Sequence, residues 1–240
     1  MPKSRRLALN VALLLSVLVS TALAGPRQTE REGKGKIEFS ELVFDFGFMP
    51  QNAVFSHNFV VRNTGRGVLN IVKVQPTCGC TTVPMDRAFL KPGEKTDIRV
   101  NFDSGKMQDN VNKRIKVLST DPENGLVELY FKGIVGKPPE TVELIGSALN
   151  FTDIGTILRE VRVKNITPQP ITLSVLPPAD SFLEVAISSQ KIAPQAEVIL
   201  TIKLKKSPPL GEFKTSITLE SSGQKIERIS VPITGVGYAH

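Results

Sequence analysis

The chain has no tryptophan, two tyrosines, two histidines and two cysteines among its 240 residues. Each shortage excludes something. Without tryptophan, and with no cysteine pair far enough apart to join two sheets, the antibody version of a β-sandwich is ruled out. His57 and His240 are the only imidazoles and neither stands at metal-ligand spacing from the cysteines, so a four-ligand zinc site cannot be composed. A nucleophilic cysteine would need a base, and His57 is the one credible candidate. It shares strand parity with Phe55, Phe59 and Val61 and reads as a strand-end histidine. Asp45, Asp97 and Asp103 fall at turns or outward strand positions, not as a paired acid and base. No glycine-rich phosphate loop follows a strand into a helix. The expectation is a non-enzyme without a cofactor, thiol–disulfide exchange being the one chemistry left open.

Long apolar runs are scarce too, with one exception at the start. Lys3, Arg5 and Arg6 precede "LALNVALLLSVLVSTALA", and Ala22-Leu23-Ala24 fits a small-x-small cleavage pattern. Asn10, Ser16, Ser20 and Thr21 interrupt the stretch and no stop-transfer charges are fused to its end, which favours a cleaved signal peptide over a membrane anchor. Residues 1–24 are therefore expected to be removed, leaving a periplasmic or secreted chain that starts at Gly25 and does not insert in the membrane. The formal net charge is +7; three of those charges leave with the signal, and the remaining +4 includes no basic run interleaved with aromatics. Nucleic acid is excluded as a partner on that ground.

What is present is a repeat. "FVVRNTGRGVLNIVKVQP" (59–76) lies over "VRVKNITPQPITLSVLPP" (161–178) at an offset of 102. Asn63 falls on Asn165, Pro92 on Pro194, Phe102 on Leu204 and Gly133 on Gly235 at that offset. The opening hairpin alone breaks step, six extra residues following "FDFG" in the first copy. "TDIRVNF", "KRIKVLS" and "EVILTIKLK" alternate apolar and polar residues with the period of half-buried strands, and "NTG", "KPGE", "DPENG" and "PPLGE" punctuate them as turns. The fold expected is all-β: tandem immunoglobulin-like sandwiches of about seven strands each. The boundaries are a disordered lead-in at 25–36, a first domain at 37–136 carrying both cysteines, a Pro-rich linker at 137–141 that restricts the interdomain angle, and a second domain at 142–240.

The cysteines sit together in "QPTCGCTTVP" (75–84), as Cys78, Gly79 and Cys80. At the repeat offset they fall on Asp180, Ser181 and Phe182, so the scaffold does not require them. On an extended strand their Cα atoms would stand about 6.6 Å apart, near the upper limit for a disulfide, and Gly79 is the residue best able to bend the chain. A ring of three residues would add only about 1.6 kcal/mol by chain entropy, so a bridge here would be labile, not a staple. Four readings stand open: a local, labile disulfide in an oxidising compartment, free thiols that only pack, bridges to a partner chain, and a soft Cu(I) site with Met85 near in sequence.

"FDFGFM", "FVVRNTGRGVLNIVKVQPTCGCTTVP" and "LKPGEKTDIRVNFDSGK" resemble a bacterial family of exported domains of unknown function, over residues 42 to about 136. Its pattern is Phe-x-Phe-Gly, Asn-Thr-Gly, Cys-Gly-Cys-Thr, Pro-Gly-Glu. That family is similar to immunoglobulin-like interaction modules of the Hydin and major-sperm-protein type, which implies the fold and the export but supplies no activity. The second copy departs from the pattern, with "NIT" for "NTG", "APQ" for "PGE" and no cysteine. The function expected is binding or scaffolding, with a protein of the cell envelope as partner. Two alternatives remain: a thiol-redox or copper-handling protein working through Cys78 and Cys80, and a pilus-type periplasmic chaperone, which caps a client by strand addition, although "LVELYFKGIV", the apolar alternating stretch, reads as an ordinary last strand of the first copy.

Overall fold

The structure is a computed structural model that describes residues 33–146, 149–152, 157–205 and 208–238. The expected signal peptide and most of the expected lead-in lie outside the described residues. Among the described residues there is no helix, and so none long and apolar enough to cross a membrane.

Period-2 alternation becomes strand wherever it was legible. In "KTDIRVNFD" the residues Thr96, Ile98, Val100 and Phe102 are buried while their neighbours are not, because successive side chains of a strand point to opposite faces. The first copy holds nine strands: β1 (Ile37–Phe39), β2 (Val43–Met49), β3 (Val54–Asn63), β4 (Leu69–Pro76), β5 (Thr81–Thr82), β6 (Phe89–Leu90), β7 (Lys95–Asp103), β8 (Asp109–Ser119) and β9 (Leu126–Val135). The second holds nine more among the described residues: β10 (Val142–Ile145), β11 (Leu149–Phe151), β12 (Leu158–Asn165), β13 (Ile171–Val175), β14 (Leu183–Ile187), β15 (Lys191–Ile192), β16 (Glu197–Leu204), β17 (Gly211–Ser222) and β18 (Ile226–Gly237). Nine exceeds the seven expected because β5 and β6 in the first copy and β11 and β15 in the second are only two or three residues long, too short to carry a periodic pattern.

The two copies repeat one topology. In each, a four-stranded sheet runs β1-β3-β7-β5 or β10-β12-β16-β14. The opposing sheet runs β9-β8-β4-β6 or β18-β17-β13-β15, with β2 or β11 parallel to the last strand of its copy. These are the ABED and CFG layers of an immunoglobulin-like sandwich, with short additions at the edges. The opening strands form no hairpin: β1 pairs with β3 and β2 with β9, on opposite layers. The first core is built on Phe46, Phe55, Phe59, Phe102 and Phe131, the second on Phe151, Leu173, Leu200 and Ile217; each fully buried ring or aliphatic side chain contributes about 1.5–3 kcal/mol.

Asn63 and Asn165, matched by the repeat, have the same task. Both are fully buried. Asn63 donates to the carbonyls of Gly67 and Leu90 and accepts from the amides of Lys36 and Gly65. Asn165 donates to Gln169, Ile192 and Ala193 and accepts from Thr167. One amide side chain thus satisfies loop backbone that burial would otherwise leave unpaired. Residues 33–36 are tied to the same loop, the Lys34 carbonyl accepting from Arg66 and Gly67.

The copies are not beads on a linker. Ile229 of β18 pairs with Phe48 of β2, which fuses their larger sheets into one of ten strands. At this seam Ser230 Oγ donates to the Phe46 carbonyl at 2.9 Å, Arg228 to the Asp45 carbonyl at 3.2 Å, and the Ser56 amide to Ser216 Oγ at 2.9 Å. Gly47 has a φ of 69°, and a Cβ there would lie 1.8 Å from the Arg228 carbonyl oxygen. The glycine of "FDFG" therefore permits the seam. The expected linker is clasped from both sides: Gly136 donates to Met49, while Glu140 and Thr141 donate to the buried Glu227 carboxylate.

Candidate functional site

The chain crosses from one layer of the first sandwich to the other between β4 and β5, and the crossing is Thr77-Cys78-Gly79-Cys80. Its two ends are fixed to different sheets. Thr77 donates both its amide and its hydroxyl to the Arg114 carbonyl on β8, at 3.1 and 3.0 Å. The Cys80 carbonyl accepts from the Asp103 amide at 2.9 Å, and Thr81 pairs with Phe102 on β7. Between these anchors the chain bends, bringing the two Cα atoms to 5.3 Å, and Cys78 and Cys80 are joined by a disulfide. This is well short of the extended-strand separation.

Both cysteines are half-buried and Gly79 is exposed, with open space where a Cβ would stand. Cys80 and Met85 pack against the first core and Cys78 does not. Thr81 is buried, at 4 % exposure. Its hydroxyl reaches Cys78 Sγ at 3.4 Å and Cys80 Sγ at 3.8 Å, and among the described residues it has no other hydrogen-bond partner. In the sequence Thr81 is only the last residue of the Cys-Gly-Cys-Thr pattern; its place beside the sulfurs became visible once the bend turned both of them toward it.

The same corner of the second copy has been put to another use. Asp180, aligned with Cys78, is buried and receives a bidentate ion pair from Arg99 of the first copy, one arm at 2.7 Å, together with the Thr215 hydroxyl. The neighbouring Ala179 carbonyl accepts from Asn58 at 2.9 Å, and Phe182 packs edge-on to Phe213. The second corner is a dock, whereas the first faces solvent.

His57 lies within β3 and not at its end. Its Nε2 meets Glu41 at 2.9 Å and its ring stacks on Phe44 at 3.7 Å. With Asn58, Pro177 and Arg228 these residues line a cleft of about 450 Å³ between the copies. Asp45 sits at the bulge of β2, where it accepts from the Gly47 amide, and Asp103 ends β7. Among the described residues no group of three or more His, Cys, Asp or Glu could hold a metal ion.

Asp121 is a structural carboxylate of the first copy. Burial alone would raise Asp121, but it accepts the amides of Ile37, Glu123 and Asn124 and lies near Lys36, and these hold it below its ordinary value of 3.8. It ties the β8–β9 turn to the start of β1. Glu227 does the equivalent work in the second copy from a different position.

Residues 37–135, the first copy, match the model of a family described as "Protein of unknown function (DUF1573)". No curated protein matches the chain. Among solved structures, a protein of unknown function from Porphyromonas gingivalis W83 is similar at 14 % identity, covering 83 % of this chain and 99 % of that one, with a TM-score of 0.32. The ASH/PapD-like domain 7 of human CEP192 is similar at 8 % identity, 44 % and 89 % coverage and a TM-score of 0.37. The YadV chaperone is similar at 14 % identity, 82 % and 98 % coverage and a TM-score of 0.31. The immunoglobulin-like assignment rests on the strand order, not on these scores.

Proposed function

We propose that the chain is an exported binding or scaffolding protein of the cell envelope, in which the fused sandwiches present one sheet face of the first copy to a protein partner. The observation that carries this reading is a row of apolar side chains on adjoining strands of that copy. Phe89 of β6, Val72 of β4, Leu118 of β8 and Leu126 of β9 are exposed by 65, 54, 42 and 56 %. Leu118 pairs with Leu126, and Phe89 pairs with Asn70 of β4, two residues from Val72. At the repeat offset the second copy has Ser174, Lys191, Glu220 and Arg228, all polar. The apolar row is therefore a feature of one copy and not of the scaffold, and clustered exposed apolar surface marks association sites. The basic, apolar, small-residue start of the chain supports export.

A photo-crosslinker at the exposed Lys73, which pairs with Leu118 beside the row, tests the reading in native cells. Expected are discrete adducts to an envelope protein, lost when Phe89→Lys, Leu118→Glu and Leu126→Arg install the second copy's residues, and retained in Cys78→Ser plus Cys80→Ser. A chain that stays in the cytoplasm, or adducts indifferent to the apolar row, would sink it.

A further inference from the structure

We infer that the Cys78–Cys80 disulfide accepts two electrons from a dithiol on a partner protein, and that Thr81 assists by donating its hydroxyl to the thiolate that leaves. This goes beyond the binding role and stands on a different part of the molecule. A disulfide sulfur is a weak acceptor, so the buried Thr81 hydroxyl, whose partners are the two sulfurs, is poorly satisfied while the bond is closed. A thiolate is a charged acceptor, and hydrogen bonds to charged groups are roughly twice as strong as neutral ones. Opening the bond therefore improves the environment of a group already in place.

The backbone anchors support the same conclusion. Thr77 is held by β8 and Cys80 by β7, so the segment carrying the sulfurs is tethered at both ends when the bond between them is cut. Access is from the Gly79 side, where a side chain would meet nothing within 4 Å. In the second copy the same corner is closed by Asp180 and Phe182, both buried.

The step balances as follows. A partner thiolate attacks Cys78 Sγ, the sulfur outside the core cluster. A bond forms between the partner's sulfur and Cys78, the Cys78–Cys80 bond breaks, and its electron pair stays on Cys80 Sγ, which accepts the Thr81 proton in a hydrogen bond. The partner's second thiolate then attacks its own first sulfur, forming the partner's disulfide and expelling Cys78 as a thiolate that takes a proton from water. The partner dithiol is oxidised by two electrons and this chain is reduced, once per chain.

Dithiothreitol as the probe dithiol tests this on the full mature chain, with acid-quenched alkylation and intact mass as the readout. Thr81→Val is expected to slow reduction about tenfold and to shift the equilibrium toward the disulfide by a similar factor, the difference between a charge-assisted and a neutral hydrogen bond. Thr81→Ser, which keeps the hydroxyl, should stay within about twofold of the parent on the same grounds. If Thr81→Val does not fold, Thr81→Ala carries the comparison. Hydroxyl-free variants that reduce at the parental rate would overturn the role of Thr81. Mercaptoethanol captured in acid on Cys80 instead of Cys78 would overturn the direction of attack. Neither outcome touches the apolar row, so failure here is distinguishable from failure of the binding role.

Discussion

Ser216, Thr218 and Ser230 stand on the larger sheet of the second copy where the first has Arg114, Lys116 and Glu128. The three hydroxyl residues are almost fully buried at the seam, whereas Arg114 and Glu128 pair with each other half-exposed to solvent. Small side chains let the second copy come within hydrogen-bonding distance of β2 and β3, and long charged ones keep the matching face of the first copy solvated. One scaffold has thus been written twice and finished differently on each face. The second copy spent its sheet face and its 179–182 corner on gripping the first. The first copy, free of that duty, carries the exposed apolar row and the disulfide corner. Both proposed roles rest on what the first copy has and the second lacks.

The largest effect should come from the grip itself. Arg99→Ala leaves Asp180, buried at 6 % side-chain exposure, without its cation, and is expected to cost about 3–5 kcal/mol in urea denaturation. Arg99→Ala with Asp180→Ala should recover part of that loss, because no buried charge is then stranded. A single-mutant cost below about 1 kcal/mol would mean that the pair is no more than a surface contact.

Exchanging residues between copies sharpens the contrast. Ser216→Arg puts the first copy's residue into the buried seam and should cost about 1–3 kcal/mol by overpacking, with faster protease cleavage near the 137–141 connection. The reverse change, Arg114→Ser, removes only an exposed ion pair and should cost no more than about 1 kcal/mol. Equal costs for the two would erase the distinction drawn between the faces.

The remaining effect is a matter of pH. Asp121 is held below its ordinary value, so its charge contributes stability that is present above the unfolded carboxylate range and lost as pH falls through the lower folded value. Asp121→Asn is expected to cost about 1–3 kcal/mol at neutral pH, because its single amide oxygen can accept on one side only and either the Ile37 amide or those of Glu123 and Asn124 lose their partner, and the gap should narrow as pH falls below about 4. Position 223, the matching site in the second copy, is glycine. Its counterpart carboxylate is Glu227, which reaches Glu140 and Thr141 from inside β18. A comparison based on sequence offset alone would have missed that equivalence, since what is shared is the hydrogen-bonding need of an incoming strand and not the position that meets it.

Much of the candidate site was legible early. Cys78, Gly79 and Cys80 stood out by their rarity and by their absence from the second copy, and the need for a bend at Gly79 followed from strand rise alone. Thr81 was legible only as the last residue of the Cys-Gly-Cys-Thr pattern, with no role attached, until the turn brought its hydroxyl within reach of both sulfurs. The apolar row was hidden for a similar reason. Phe89, Val72, Leu118 and Leu126 come from four strands, and their adjacency depends on register across β6, β4, β8 and β9. Nor did Asp180 announce itself: aligned against Cys78 it looked like a substitution, and it is instead the anchor of the seam.

The amino-acid order by itself determined the longer strands, the repeat and the two cores, since period-2 burial, turn residues and the Asn63 and Asn165 loop ties act over short stretches or within one copy. Only the tertiary structure decided how the copies join and which faces remain open. Those outcomes rest on pairs such as Ser56 with Ser216 and Phe46 with Ser230, 160 and 184 residues apart. A small hydroxyl reads the same in a sequence whether it faces water or another sandwich; which it faces is settled by the packing of distant strands.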